Sequence, residues 1–309
     1  MFAYFKSFEF YFVITLPDFV RKLEALAFIA DKFDLKLNAM FSFIDLMKHP
    51  QDLEYLEELK ASDLINKTML DSSAFLVLGN VLNLHQYLHL TRKTYVKFAE
   101  TYSDLFDYIV APDVPCSVSE IKLPNEERIK LTVENTIEFL SNFSERKKVI
   151  AVVQGYKPKD YETCCRLYKE KGIQTRKIGI GSLRLYRYTK KNINTILQII
   201  NTVKRNFVSS KIHAFGLNMH FLSVTEIVND ISSTDSATWV IVYSRFNRLR
   251  LYDPYKDSLI ELDLTRNGKK INEPQNIVYI WTILSFILRI DSLLRKARGA
   301  QQKSLFRVA

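Results

Sequence analysis

The chain has 309 residues, 47% of them hydrophobic, and its 44 Lys+Arg against 34 Asp+Glu give a net charge of +10 at pH 7. That length and apolar content exclude a disordered or fibrous chain and suffice for one large core. The positive balance favours a polyanionic partner, nucleic acid or a membrane surface, without choosing between them.

The opening stretch "MFAYFKSFEFYFVITLPDF" has charges scattered through its apolar part and no small-residue cleavage site, so it reads as part of the fold. Short β-branched and apolar runs follow one another at 9–15, 37–41, 68–70, 108–111, 149–153, 177–180, 211–214 and 232–234. Segments with apolar residues three and four apart separate them, at 18–33, 51–65, 92–106, 126–143, 159–172, 192–207 and 223–231. Strands alternating with helices in this number predict an α/β fold, a (β/α)8 barrel of the TIM type, over residues 1–240. Residues 241–309 are expected to form an appendage packed on the barrel: a β-hairpin around the turn-forming "DPYKD", then a helix. The apolar run 277–288 in that helix, closed by Arg289, is too short for a bilayer core of roughly 30 Å, so a buried C-terminal helix is expected and no membrane partner. Cys116, Cys164 and Cys165 are an odd number without metal spacing, which points to a reducing, cytoplasmic setting.

In such a barrel chemistry gathers at the C-terminal ends of the strands. The residues there are unusually polar or small: "LDSSAF" with Asp71, "APDVP" with Asp113, "VVQGY" with Gln154 and Gly155, "IGIGSL" with Gly181 and Ser182, "IHAFGL" with Phe215 and Gly216, and "STDSATW" with Asp235. Each alone is compatible with a cap or a turn, but together three carboxylates, an amide and two glycine-containing turns predict a functional pocket.

Taken in order, these motifs over 68–239 resemble the tRNA-guanine transglycosylase superfamily, including its relatives that place 7-deazaguanines in DNA. The resemblance implies a transferase, a pentosyltransferase that exchanges guanine in DNA or tRNA for a 7-deazaguanine base of the preQ0 type. Asp235 would be the nucleophile and Asp71 the general acid/base. Two carboxyl groups in these roles suit cleavage at an anomeric carbon through an oxocarbenium-like state. Asp113 and Gln154 would read the base edge, with Gly155, Gly181, Ser182 and the backbone of Leu183 completing it, and Phe75 and Phe215 would stack on the base. "DSSAF" departs from the family's "DSGGF/Y" by replacing both glycines, and "IGIGSL" has Ser182 where the family has a second glycine.

The family's structural zinc, held by three cysteines and a histidine downstream of the nucleophile, has no counterpart: no Cys follows Cys165 and no His follows His220. No cofactor is therefore expected, and DNA is favoured over tRNA as carrier. Arg184, Arg187, Lys190 and Lys191, with Tyr186 and Tyr188 interleaved, and Arg245, Arg248 and Arg250 beyond the eighth strand, are the expected phosphate contacts, the alternative being a solvated basic face. A catalytically idle nucleic-acid-binding barrel and a hydrolase acting on a nucleoside or N-glycoside stand as alternatives.

Overall fold

The computed structural model describes residues 2–15, 18–78, 82–118, 123–239, 248–263, 265–266, 269–270 and 275–305. Eight parallel strands close into a barrel in sequence order: β1 (Glu9–Ile14), β2 (Asn38–Ser42), β3 (Lys67–Asp71), β4 (Tyr108–Val110), β5 (Val149–Val153), β6 (Lys177–Ile180), β7 (Lys211–Ala214) and β8 (Ser233–Ser236). Each falls within about two residues of its predicted run. The period-two alternation of side chains sorts them into two cores. Tyr11, Val13, Met40, Met69, Val110, Ile150 and Val152 fill the barrel interior, while Phe10, Phe12, Ile14, Phe41, Leu70, Ala151 and Val153 pack outward against the helices. Strands buried on both faces need continuous apolar runs, which is why "FYFVI" and "VIAVV" show no polar alternation.

Helices Phe19–Phe33, Gln51–Ala61, Asn125–Asn142, Pro158–Glu170, Lys190–Asn206 and Thr225–Asp230 lie close to their predicted positions. The segment expected at 92–106 differs. Its helix starts at Leu84, where Asn83 accepts from Gln86 N (2.8 Å) and Gln86 Oε1 accepts from Asn83 N (3.2 Å), a reciprocal cap. It then passes through a π-helical turn, Thr91–Tyr95, before Val96–Thr101. In the wider turn Thr91 Oγ1 bonds back to Tyr87 O at 3.0 Å.

The expected C-terminal helix is present, and it extends well past the apolar run 277–288, through Gln275–Leu305. Arg289 is accommodated by a contact to His220 Nε2 at 2.9 Å, and Asp291 Oδ1 accepts from Tyr4 N and Phe5 N, both at 3.0 Å, capping the first helix Ala3–Lys6. Residues Ile277–Gly299 are thus long and apolar enough to cross a membrane by length and composition, but most of that stretch is buried in the fold. Phe286 packs on Phe10 and Phe12 of β1 at 5.7 and 6.1 Å, and the helix lies against Phe19–Phe33 and Thr225–Asp230, the place of an eighth barrel helix. Between β8 and this helix sits the hairpin β9 (Arg248–Asp253) and β10 (Ser258–Asp263), whose turn is held by Asp253 Oδ1 accepting from Tyr255 N and Lys256 N. Tyr252 ties it to the C-terminal helix through Ser285 Oγ and Ser292 Oγ.

Candidate active site

A cavity of about 560 Å³ opens at the C-terminal end of the barrel, a size suited to a small-molecule site. Its walls continue the inward parity of the strands: Val13, Met40, Ser42, Asp71, Val110, Val152, Gln154, Gly181, Phe215 and Asp235 all line it, with Phe75, Asp113, Ser182, Arg184 and Gly216 from the loops above. Asp71 and Asp235 are not in loops. Asp71 ends β3 opposite Ser42 of β2, and Asp235 lies within β8 opposite Tyr11 of β1.

Asp71 borders the cavity yet is closely surrounded by protein. Burial first, then the negative charge of Asp113, push its carboxyl up to about 8, against which the Ser73 N–H at 2.9 Å is a partial counterweight; Asp235 adds to the rise. At neutral pH it therefore holds a proton. The turn behind it is set by the second serine of "DSSAF". Ser73 adopts φ +68°, the left-handed conformation a glycine would take without strain. Its hydroxyl lies 2.6 Å from Ser42 Oγ and accepts from Ile44 N at 3.1 Å, which ties the β3 turn to the end of β2.

Asp113 and Gln154 form the second polar group. Gln154 Nε2 donates to Asp113 Oδ2, Ser72 Oγ donates to Asp113 Oδ1 at 3.2 Å, and Tyr87, carried by the helix before the π-turn, donates to Ser72 Oγ at 3.0 Å. Burial raises the Asp113 carboxyl to about 6, with the Gln154 and Ser72 bonds opposing. Ser182, at φ +60°, sits 2.7 Å from Gln154 Oε1. A carboxylate only accepts, so the Gln154 amide turns its NH2 group toward Asp113 and leaves Oε1 to accept from Ser182 Oγ. Gly181 makes room for this amide: a Cβ there would stand 2.2 Å from Nε2. An acceptor and a donor are thereby held side by side on one wall.

Asp235 Oδ1 accepts from Gly216 N at 2.9 Å and lies 3.2 Å from His213 Nε2; His213 Nδ1 is 2.8 Å from Ser233 Oγ. Gly216 reaches this position at φ +59°. Neither His213 nor Gly179 was singled out among the expected site residues. A Cβ at Gly179 would stand 2.3 Å from Phe215 Cε2, so this glycine is what lets the Phe215 ring lie inside the barrel. Strand parity with Phe215 and Gly181 is the sequence signal that marks both.

Phe75, 37% exposed, and half-buried Phe215 both face the cavity. Gly155 and Leu183 stand outside its lining: Gly155 packs on the Tyr161 ring, and the Leu183 side chain is buried in the shell between strands and helices. Arg184 reaches the mouth, and Arg187, Lys190 and Lys191 are exposed just beyond it. Tyr186, in contrast, stacks on Tyr156 and donates to its carbonyl, and Tyr188 packs on Phe221 while staying 41% exposed. Arg245 lies outside the described residues, as do the side chains of Arg248 and Arg250. His85 and His89 share the helix Leu84–Leu90, and among the described residues no group of three or more His, Cys, Asp or Glu side chains is placed to hold a metal ion.

No protein-family model matches the chain, and no curated protein matches it, so a functional reading has to stand on the residues and geometry of this cavity.

Proposed function

We propose that the chain is a guanine transglycosylase that replaces guanine in a nucleic acid, DNA ahead of tRNA, with a 7-deazaguanine base. The observation that carries this is the pair Asp71 and Asp235 on one cavity, with the Asp71 carboxyl raised by burial to about 8 and Asp235 Oδ1 within hydrogen-bond reach of Gly216 N and His213 Nε2. In the first half-reaction an Asp235 oxygen attacks C1′ of the target nucleotide as the bond from C1′ to the base nitrogen breaks, and guanine leaves with the Asp71 proton. In the second, the incoming base loses its ring N–H proton to the Asp71 carboxylate, its nitrogen takes C1′, and Asp235 is released. Every bond and proton is returned, so no further reactant is needed.

Asp113 supplies acceptors for a ring N–H and an exocyclic amine, and Gln154 a donor for a carbonyl oxygen, which is the edge that guanine and its 7-deaza analogues share. Phe75 and Phe215 suit stacking on the base. Arg184, with Arg187, Lys190 and Lys191 outside the mouth, suits a phosphate backbone laid across the barrel top. A base reaching this depth has left its stack, so single-stranded or flipped-out substrate is expected. The test is incorporation of labelled guanine into DNA and tRNA by the purified protein, together with mass spectrometry of nucleosides from cells with and without it. No label in either polymer and no altered nucleoside would reject the reading.

A further inference from the structure

We propose that His213 is the positioning residue of Asp235: a neutral imidazole with its proton on Nε2 that, with Gly216 N–H, pins Oδ1 and leaves Oδ2 as the oxygen that reacts. This rests on the reading of Asp235 as the covalent acceptor of the sugar.

The assignment follows from the hydrogen-bond inventory. An ionised carboxylate only accepts, so Nε2, 3.2 Å from Oδ1, must be the N–H. A neutral ring then has its lone pair on Nδ1, and Ser233 Oγ, 2.8 Å away, is the donor to it. Burial lowers the basicity of His213, which agrees with a neutral ring. His213 and Ser233 are directly paired across β7 and β8, and Ser233 and Asp235 share the inward face of β8, so the imidazole reaches one pleat up the barrel to the carboxylate.

The ring is fully buried and does not line the cavity, so it never meets substrate. Phe215 closes it off on one side, with ring centroids 4.3 Å apart, and Tyr11 on another at 5.7 Å. Held between these edges, the imidazole has one orientation, and it gives the carboxylate one. Both donors fall on Oδ1; among the described residues no hydrogen bond engages Oδ2. The same two N–H groups still find an acceptor after reaction, since Oδ1 becomes the ester carbonyl, and they steady the negative charge that returns when the sugar leaves.

Two measurements decide the matter. Long-range 15N–1H spectra of protein labelled with 15N-histidine, with H213Q identifying the resonances, should show His213 in the Nε2–H form at neutral pH. An Nδ1–H form or an imidazolium would overturn the proposal whatever the protein does. Kinetically, H213L should slow formation of the covalent adduct with DNA about tenfold or more with unchanged DNA affinity, while H213Q, whose amide can donate from the Nε2 position, should recover most of the rate. S233A, a smaller change, should admit the other tautomer and slow the adduct to a lesser degree, which keeps the test open if H213L does not fold. An H213L protein as fast as wild type, or H213L and H213Q equally slow with native melting, would overturn the positioning role. A wild-type protein that forms no adduct on any nucleic acid would instead remove Asp235 as the acceptor, and the spectra would still decide the hydrogen bond.

Discussion

The two ends of the barrel handle buried charge in opposite ways. At the N-terminal end Glu9 of β1 accepts from Tyr11 Oη at 2.6 Å, Lys67 Nζ at 2.8 Å and Lys177 Nζ, and the Lys177 ammonium lies 4.2 Å from the Tyr108 ring centre. Burial pushes the Glu9 carboxyl up, but the Lys177 charge and the three hydrogen bonds outweigh it and hold the group down at about 2. At the C-terminal end three carboxyl groups face one cavity, and Arg184 is the one cation among the described residues that line it. There burial and like charge act together, and Asp71 rises to about 8. The floor sets its carboxylate between two ammonium groups, which holds Glu9 ionised even though burial pulls Lys177 down to about 8. Unmatched charges at the top are a standing cost, the kind a fold retains where the groups have work to do.

The sharpest way to break this contrast is at the top. Asp235→Asn keeps size and hydrogen bonds but removes the proposed nucleophile, so it should abolish labelled-guanine exchange and any covalent adduct while melting close to wild type; full exchange would end the proposed mechanism. Asp71→Asn should lower exchange by roughly 10²–10⁴-fold. Because the protonated form is the acid, wild-type activity should fall as pH rises above about 8, and the mutant's residual activity should lack that limb.

Stability should separate the ends by sign. Glu9 has a folded-state value near 2, below its ordinary 4.5, so its contribution is complete above pH 4.5 and is lost as pH falls toward 2. Glu9→Gln should cost about 2–4 kcal/mol at pH 7, part of it from leaving Lys177 buried without its partner. Asp71 runs the other way. Its value is raised from 3.8 to about 8, so the stability it contributes is present below pH 3.8 and lost as pH rises through 8. Asp71→Asn should therefore stabilise the fold at pH 8–9, on the order of 1–3 kcal/mol, even as it removes activity. Denaturant melts of both mutants across pH check the pair; the same sign for both would mean the ends do not differ as argued. Asp113→Ala should leave the base's donors unpaired, at a cost of about 1–3 kcal/mol in discrimination between guanine and adenine, read from competition binding.

The strands were legible because a parallel strand buried on both faces needs an unbroken apolar run, and the residues that end those runs are the ones that line the cavity. What escaped depends on contacts across strands. His213 lies in "KIHA", where a lone histidine reads as core; only its pairing with Ser233 and its reach to Asp235 give it a role. Gly179 looks like an ordinary strand glycine until Phe215, just after β7, is found filling the space of its missing side chain. The π-turn at Thr91–Tyr95 has no local signature; it follows the helix whose Tyr87 donates to Ser72 Oγ, and it carries Tyr95, whose Oη donates to Val110 O at 2.7 Å. Arg289 closes the apolar run 277–288 in the sequence, and its partner His220, far away along the chain, is what lets the helix continue past it.

The smallest effects should come from outside the cavity, where charge is exposed and acts on substrate by number rather than by geometry. Arg187 and Lys190 are solvent-exposed, and if they contact phosphate, each released counterion steepens the fall of affinity with salt. Replacing either by Gln should weaken DNA binding uniformly across sequences and reduce the slope of log affinity against log salt by about 1, with melting and base discrimination unchanged. The double mutant should lose about 2, since exposed contacts well apart add. The cavity mutants Asp113→Ala and Asp71→Asn should leave that slope as it was. A slope unmoved by Arg187→Gln and Lys190→Gln would mean that this face is simply solvated and that the nucleic acid, if it is the substrate, crosses the barrel mouth elsewhere.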